Sequence, residues 1–162
     1  LDKILILGFA REGQSTYNFL KNRFPRLQID TADQKDGPDY LKNLNNYKLI
    51  IKTPGISPHK PEIEQAIKNG VIFTSQTEIF FDLCPGQIIG VTGTKGKSTT
   101  ASLIYHVLSQ NHIKSILVGN IGKPALDYLD EIDQDTWVIM ELSSYQLMPL
   151  KKSPHIAVLQ NM

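Results

Sequence analysis

Short apolar runs recur along this chain, each separated from the next by a polar or helix-patterned stretch. Residues 4–7 form the first run, 27–31 read as a second short strand, and 49–52 and 71–74 follow. Residues 14–21 read as a helix with Tyr17, Leu20 and Phe24 on one side. Residues 61–69 place Ile63, Ala66 and Ile67 on one face before Gly70 stops the turn. Pro85-Gly86 punctuates the chain, and the alternation then restarts. Strands are expected over 87–92, 115–118, 136–142 and 155–160, with helices over 99–108 and 124–129. Alternation at this spacing predicts an α/β fold built on parallel sheets, with helices on both faces and right-handed crossovers. Two units are expected, a Rossmann-like one over 1–85 and a second over 86–162. The second stops directly after a strand, so its sheet is expected to be incomplete.

The richest chemistry lies in the second unit, in Gly90-Val91-Thr92-Gly93-Thr94-Lys95-Gly96-Lys97-Ser98-Thr99. A strand leads into this run and a helix leaves it, which is the arrangement that cradles a nucleotide triphosphate. Glycines 93 and 96 let backbone amides approach phosphate oxygens, and the helix start adds unpaired N–H groups. Lys97 offers a point charge to the outer phosphates and Ser98 a hydroxyl to Mg²⁺. The strict pattern has glycine at position 91, where this chain has Val91, so the loop is a variant. ATP is the expected ligand. Glu141 ends the strand over 136–142, where a carboxylate can hold Mg²⁺ opposite Lys97 and Ser98. Asn120, in Gly119-Asn120-Ile121-Gly122-Lys123-Pro124, can bind substrate or cap a turn.

The first unit has its own glycine loop, Gly8-Phe9-Ala10-Arg11-Glu12-Gly13, with Ala10 where the dinucleotide fingerprint has its second glycine. Asp33 follows twenty residues after Gly13, where an acidic group meets a ribose or base edge. Pyridine dinucleotide, another nucleotide diphosphate and a structural turn all remain open on this pattern. Thr53-Pro54-Gly55-Ile56 is a rigid turn or a ligand-contacting loop at the carboxyl edge of the same sheet.

Composition narrows the classes. The 162 residues are 41% hydrophobic with net charge +1 and no basic stripe, which disfavours nucleic acid. No apolar run approaches the ~20 residues of a membrane span. The lone Cys84 has no internal partner and is expected to pack, in keeping with a reducing cytoplasm. The four histidines show no metal-ligand spacing.

Three segments together carry a family resemblance: Gly93 to Thr99, Gly119 to Pro124, and Glu141-Leu142-Ser143-Ser144-Tyr145-Gln146-Leu147. They resemble the Mur ligases, above all the members that add D-glutamate. The loop is also shared with folylpolyglutamate synthetases. The resemblance implies an ATP-dependent amide ligation that joins D-glutamate to UDP-N-acetylmuramoyl-L-alanine. It implies that Gly93, Thr94, Lys95, Gly96, Lys97, Ser98 and Thr99 bind ATP, and that Ser98 and Glu141 hold Mg²⁺, with Lys97 and Glu141 catalytic. Gly8, Arg11, Glu12, Gly13, Asp33, Thr53, Pro54 and Gly55 would hold the uridine diphosphate. Asn120 would face the muramoyl part, and Ser143 joins the substrate-binding set. Lys95 departs from the family's usual asparagine, and Arg11 and Glu12 from smaller residues. The resemblance implies no obligate protein partner. The family's later segments lie beyond Asn161, so the chain is expected to be a fragment without ligase activity of its own. A different Mur ligase, a folylpolyglutamate-type synthetase and a non-catalytic nucleotide-binding module are the alternatives.

Overall fold

The computed structural model describes residues 3–161. It is an α/β structure with two four-stranded, all-parallel sheets. Two compact units divide between Gln76 and Thr77, ahead of the Pro85-Gly86 break.

In the first unit, β1 (Lys3–Leu7) leads to α1 (Arg11–Arg23), then β2 (Gln28–Ala32), β3 (Leu49–Lys52), α2 (Pro61–Lys68) and β4 (Ile72–Thr74). The strand order is β2-β1-β3-β4. A central parallel strand is covered on both faces, so it is apolar throughout rather than alternating. Ile4, Leu5, Ile6 and Leu7 are accordingly all buried. Leu5, Leu7, Ile50, Ile56, Ile63 and Ala66 share one core cluster with Leu41, Leu44 and Val71. The chain leaves β1 toward β2 on one side and returns to β3 on the other. Such a reversal opens a crevice at the carboxyl ends of the two strands. The register Leu7↔Lys52 therefore brings the loop after β1 beside the loop after β3.

α3 (Gln76–Leu83) begins at the division between the units. In the second unit it is followed by β5 (Gln87–Gly93), α4 (Lys97–Gln110), β6 (Ser115–Gly119), β7 (Trp137–Glu141), the short α5 (Ser144–Leu147) and β8 (Ile156–Gln160). The order is β6-β7-β5-β8. β5 sits inside the sheet, with Val91 paired to Glu141 on one side and Gly93 to Gln160 on the other. Ile89, Val91, Ala101 and Ile139 form the buried core beneath α4.

Several expectations need correction. Phe24 is 54% exposed and Ile67 50% exposed, so Phe24 does not pack with Leu20 and Ile67 does not pack with Ile63 and Ala66 as the grouping predicted. α1 buries Gly13, Ser15, Thr16, Phe19 and Leu20 instead. Small and hydroxyl-bearing residues let this helix lie close to the sheet, and apolarity alone misjudged which side did so. The helix expected over 124–129 is a 3-10 turn, Ala125–Glu131. α3 and α5 had no counterpart in the apolar pattern.

Candidate functional site

In the second unit the chemistry gathers where β5, β7 and β8 end. At Gly93 the backbone adopts φ +138°, and a Cβ there would stand 1.7 Å from the carbonyl oxygen of Gln160. Only glycine passes this point, so β5 turns into its loop between two strand ends. Gly96 caps α4 in the left-handed region, and Lys97 opens the helix. Thr94, Lys95, Ser98 and Thr99 are exposed around it. The Lys97 ammonium donates to the carbonyls of Gly93 at 2.7 Å and Thr94 at 3.2 Å. Its charge is thus held across the loop.

Glu141 ends β7 and is only 4% exposed. The Ser98 hydroxyl donates to its Oε2 at 2.9 Å. A buried carboxylate is costly unless several donors or a cation compensate it. One hydroxyl is modest compensation, and a carboxylate paired with a hydroxyl is the hard-oxygen set that suits Mg²⁺. The two predicted metal residues therefore lie together and fit the ion. Asn120 is exposed on the next strand end, and its N–H donates to the Glu141 carbonyl at 3.2 Å. Lys97, Ser98, Glu141 and Asn120 are thereby brought to one edge of one sheet.

Ser143 has a second use. It caps α5, accepting from the Gln146 N–H at 3.3 Å while its own N–H donates to Gln146 Oε1 at 2.9 Å. Gln146 is 2% exposed. The Ser-x-x-Gln spacing is a capping-box signature; that signal was present in the sequence and the resemblance alone was read from it.

In the first unit the loop after β1 is held from two sides. Gly8 has φ +95°, and a Cβ on it would meet Thr53 Oγ1 at 1.9 Å. Thr53 in turn donates through both N–H and Oγ1 to the Leu7 carbonyl. Gly13 lies in the first turn of α1, where a Cβ would meet the Gly8 carbonyl oxygen at 2.1 Å. Arg11 is exposed at the helix start, and Glu12 follows it half-buried. The Glu12 carbonyl accepts from Gln76 Nε2 at 3.0 Å and Thr16 Oγ1 at 2.8 Å. Pro54 is half-buried and Gly55 exposed on the facing turn.

Asp33 holds the rear of this loop. Its Oδ2 accepts the Phe9 N–H at 2.6 Å and its Oδ1 the Lys35 N–H at 3.1 Å. The Phe9 bond, then the Lys35 bond, hold its carboxyl below the usual range. Sequence reasoning passed over Lys52. Its Nζ donates to the carbonyls of Thr53 at 3.1 Å and Ile56 at 2.7 Å, so it staples the turn shut. Burial lowers its basicity, and the charge of Glu12 opposes that shift. A lysine closing an apolar strand was the available signal.

Residues 91–162 match the Mur ligase middle domain. A UDP-N-acetylmuramoylalanine–D-glutamate ligase of Ruminiclostridium cellulolyticum is 44% identical over 148 residues, 91% of this chain. The enzyme of the same name from Acetivibrio thermocellus is 45% identical over 125 residues, 77% of this chain. The chain belongs to the Mur ligase family. It spans about a third of the length of these relatives, 32% and 27% respectively. Its fold also matches a solved UDP-N-acetylmuramate:L-alanyl-gamma-D-glutamyl-meso-diaminopimelate ligase from Neisseria meningitides, with a TM-score of 0.55. That likeness covers 99% of this chain and 60% of the other, at 18% identity, and speaks to the fold alone. No helix among the described residues is long and apolar enough to cross a membrane.

Proposed function

We propose that these residues form the nucleotide-binding portion of an ATP-dependent ligase that adds D-glutamate to UDP-N-acetylmuramoyl-L-alanine in the cytoplasm. The observation that carries this reading is the meeting of Lys97, Ser98 and buried Glu141 at the end of β5. The names of the two curated relatives supply the substrate pair. The second unit takes ATP through residues 93–99, with Asn120 and Ser143 toward the acceptor substrate. The first takes the uridine diphosphate between the Gly8–Gly13 loop, Asp33 and the Thr53-Pro54-Gly55 turn.

In this mechanism Lys97 leaves the Gly93 and Thr94 carbonyls for the phosphates, whose charged oxygens are stronger acceptors. The alanyl carboxylate oxygen then attacks the γ-phosphorus as the bond to the ADP oxygen breaks. Lys97 and the loop amides face the charge that spreads over the equatorial oxygens. The acyl phosphate formed is attacked at its carbonyl carbon by the amine of D-glutamate. Phosphate departs with the electrons of the C–O bond, and the nitrogen loses a proton. Ser98 and Glu141 would hold Mg²⁺, which when bound neutralises charge on the phosphate oxygens. Positioning reactants in this way can supply about 7–11 kcal/mol.

Calorimetric titration of the chain with MgATP and with UDP-N-acetylmuramoyl-L-alanine tests the assignment, with NADH as the comparison ligand. Saturable binding of both, with NADH silent, is the expected result. NADH binding in place of the muramoyl nucleotide would overturn the reading of the first unit. MgATP binding that survives Lys97→Ala would overturn the reading of the second.

A further inference from the structure

Gln160 closes β8, and no sequence pattern gave it a role. Its backbone carbonyl accepts the Thr94 N–H at 3.2 Å, at the start of the phosphate loop. Its side chain crosses to the loop's other end. There Nε2 donates to Thr100 Oγ1, in the first turn of α4. Its Oε1 is buried against Gly96, 2.8 Å from where a Cβ would stand, and has no hydrogen-bond partner. One residue thus touches the loop at its beginning, its end and the helix it feeds.

The loop itself is exposed at Thr94, Lys95 and Gly96, and glycine-rich backbone has many conformations to choose from. A loop that binds phosphate through its amides gains affinity when something outside it selects the binding conformation. A side chain placed for stability alone would satisfy both ends of its amide, since a buried orphan acceptor carries a penalty. Here one end is spent on α4 and the other is held, at that penalty, against the loop.

We propose that Gln160 is a positioning residue that clasps the phosphate loop to α4 and sets its conformation for the triphosphate. The inference rests on the reading of this loop as an ATP site. It assigns Gln160 no contact with the reacting atoms.

The test uses the whole chain and a double-mutant cycle. Gln160→Leu removes the amide at similar bulk, and Thr100→Val removes its partner. MgATP affinity is measured calorimetrically, and the thermal midpoint reports on folding. Each single variant should bind MgATP about tenfold more weakly, the size of one lost hydrogen bond of ordinary strength. The double variant should be no weaker than either single one, because the two groups act as a unit. The thermal midpoint of Thr100→Val should fall by about 4–8 °C, the equivalent of one hydrogen bond in a unit of this size, with the cooperative transition retained. Unchanged affinity in both singles, or losses that simply add, would overturn the clasp and leave the ATP reading standing. Affinity lost only in step with a collapsed midpoint in both singles would make the role structural and overturn it as well. Absence of MgATP binding in the parent chain would overturn both readings together.

Discussion

Two positions show how tightly single residues are held at these loops. A methyl group on Gly93 would collide with the Gln160 carbonyl, and φ +138° strains any other residue there. Gly93→Ala should therefore abolish MgATP binding. Strain of this kind costs about 1–3 kcal/mol, and each kcal/mol lowers the thermal midpoint by ~4–8 °C in a unit of this size. Scanning calorimetry on the variant checks the figure. Asp33 provides the second case. Its folded carboxyl is less basic than its unfolded one, so the stability it contributes is present above the ordinary aspartate value of 3.8. That stability is lost as pH falls through the folded value. Asp33→Asn should lower the thermal midpoint at neutral pH and flatten its decline below pH ~4, as thermal melts across pH will show. The sequence placed Asp33 by its spacing from Gly13. It could not show that both carboxylate oxygens hold backbone amides, because Phe9 and Lys35 donate through a group that every residue but proline possesses.

The elements were legible where periodicity was strong. The eight strands among the described residues each overlap an expected one. β1 and β7 are the plainest, because a strand inside a parallel sheet leaves little room for polar side chains, whereas the edge strand β2 carries exposed Gln28 and Thr31. Helices were harder. α1 packs through Gly13, Ser15 and Thr16 as well as Phe19 and Leu20, and small hydroxyl residues do not register as an apolar face. α5 is a single turn fixed by the Ser143–Gln146 cap, too short for any period to appear. Ser143→Ala should cost about 1 kcal/mol of stability, the usual value of a lost cap, in chemical denaturation. β8 carries a different consequence. Among the described strands it pairs only with β5, and Ile156 and Leu159 on it are 46% and 57% exposed. An open strand edge with apolar side chains favours association between copies. We expect concentration-dependent sedimentation of the chain, reduced by the double change Ile156→Lys and Leu159→Lys. A profile that stays monomeric throughout would remove the premise.

At the scale of the molecule, each unit builds its loops from its own strands. The crevice of the first lies between β1 and β3, and the loop after β5 in the second lies between the ends of β7 and β8. Lys97→Ala should remove MgATP binding and leave uridine diphosphate binding intact. Gly8→Val should do the reverse, because its side chain would enter the space of Thr53 Oγ1. Paired titrations of the two variants check both arms. The order of strands about β1 and β5 was beyond the sequence, since alternation fixes the sequence of elements and not their neighbours in space. Ser98 and Glu141, distant in the chain, were matched by their places, one at the helix start after the loop and the other at a strand's carboxyl end, and their 2.9 Å contact became visible only in the fold.

The inward posture of Lys97 sets a threshold for what the loop admits. Its ammonium already has two carbonyl acceptors, at 2.7 and 3.2 Å, so an arriving anion must offer more than those dipoles before the side chain turns outward. Chloride or acetate, with one charge each, gains little by the exchange. A triphosphate presents several charged oxygens at once, and the lysine's own hydrogen bonds thereby become a filter for charge density.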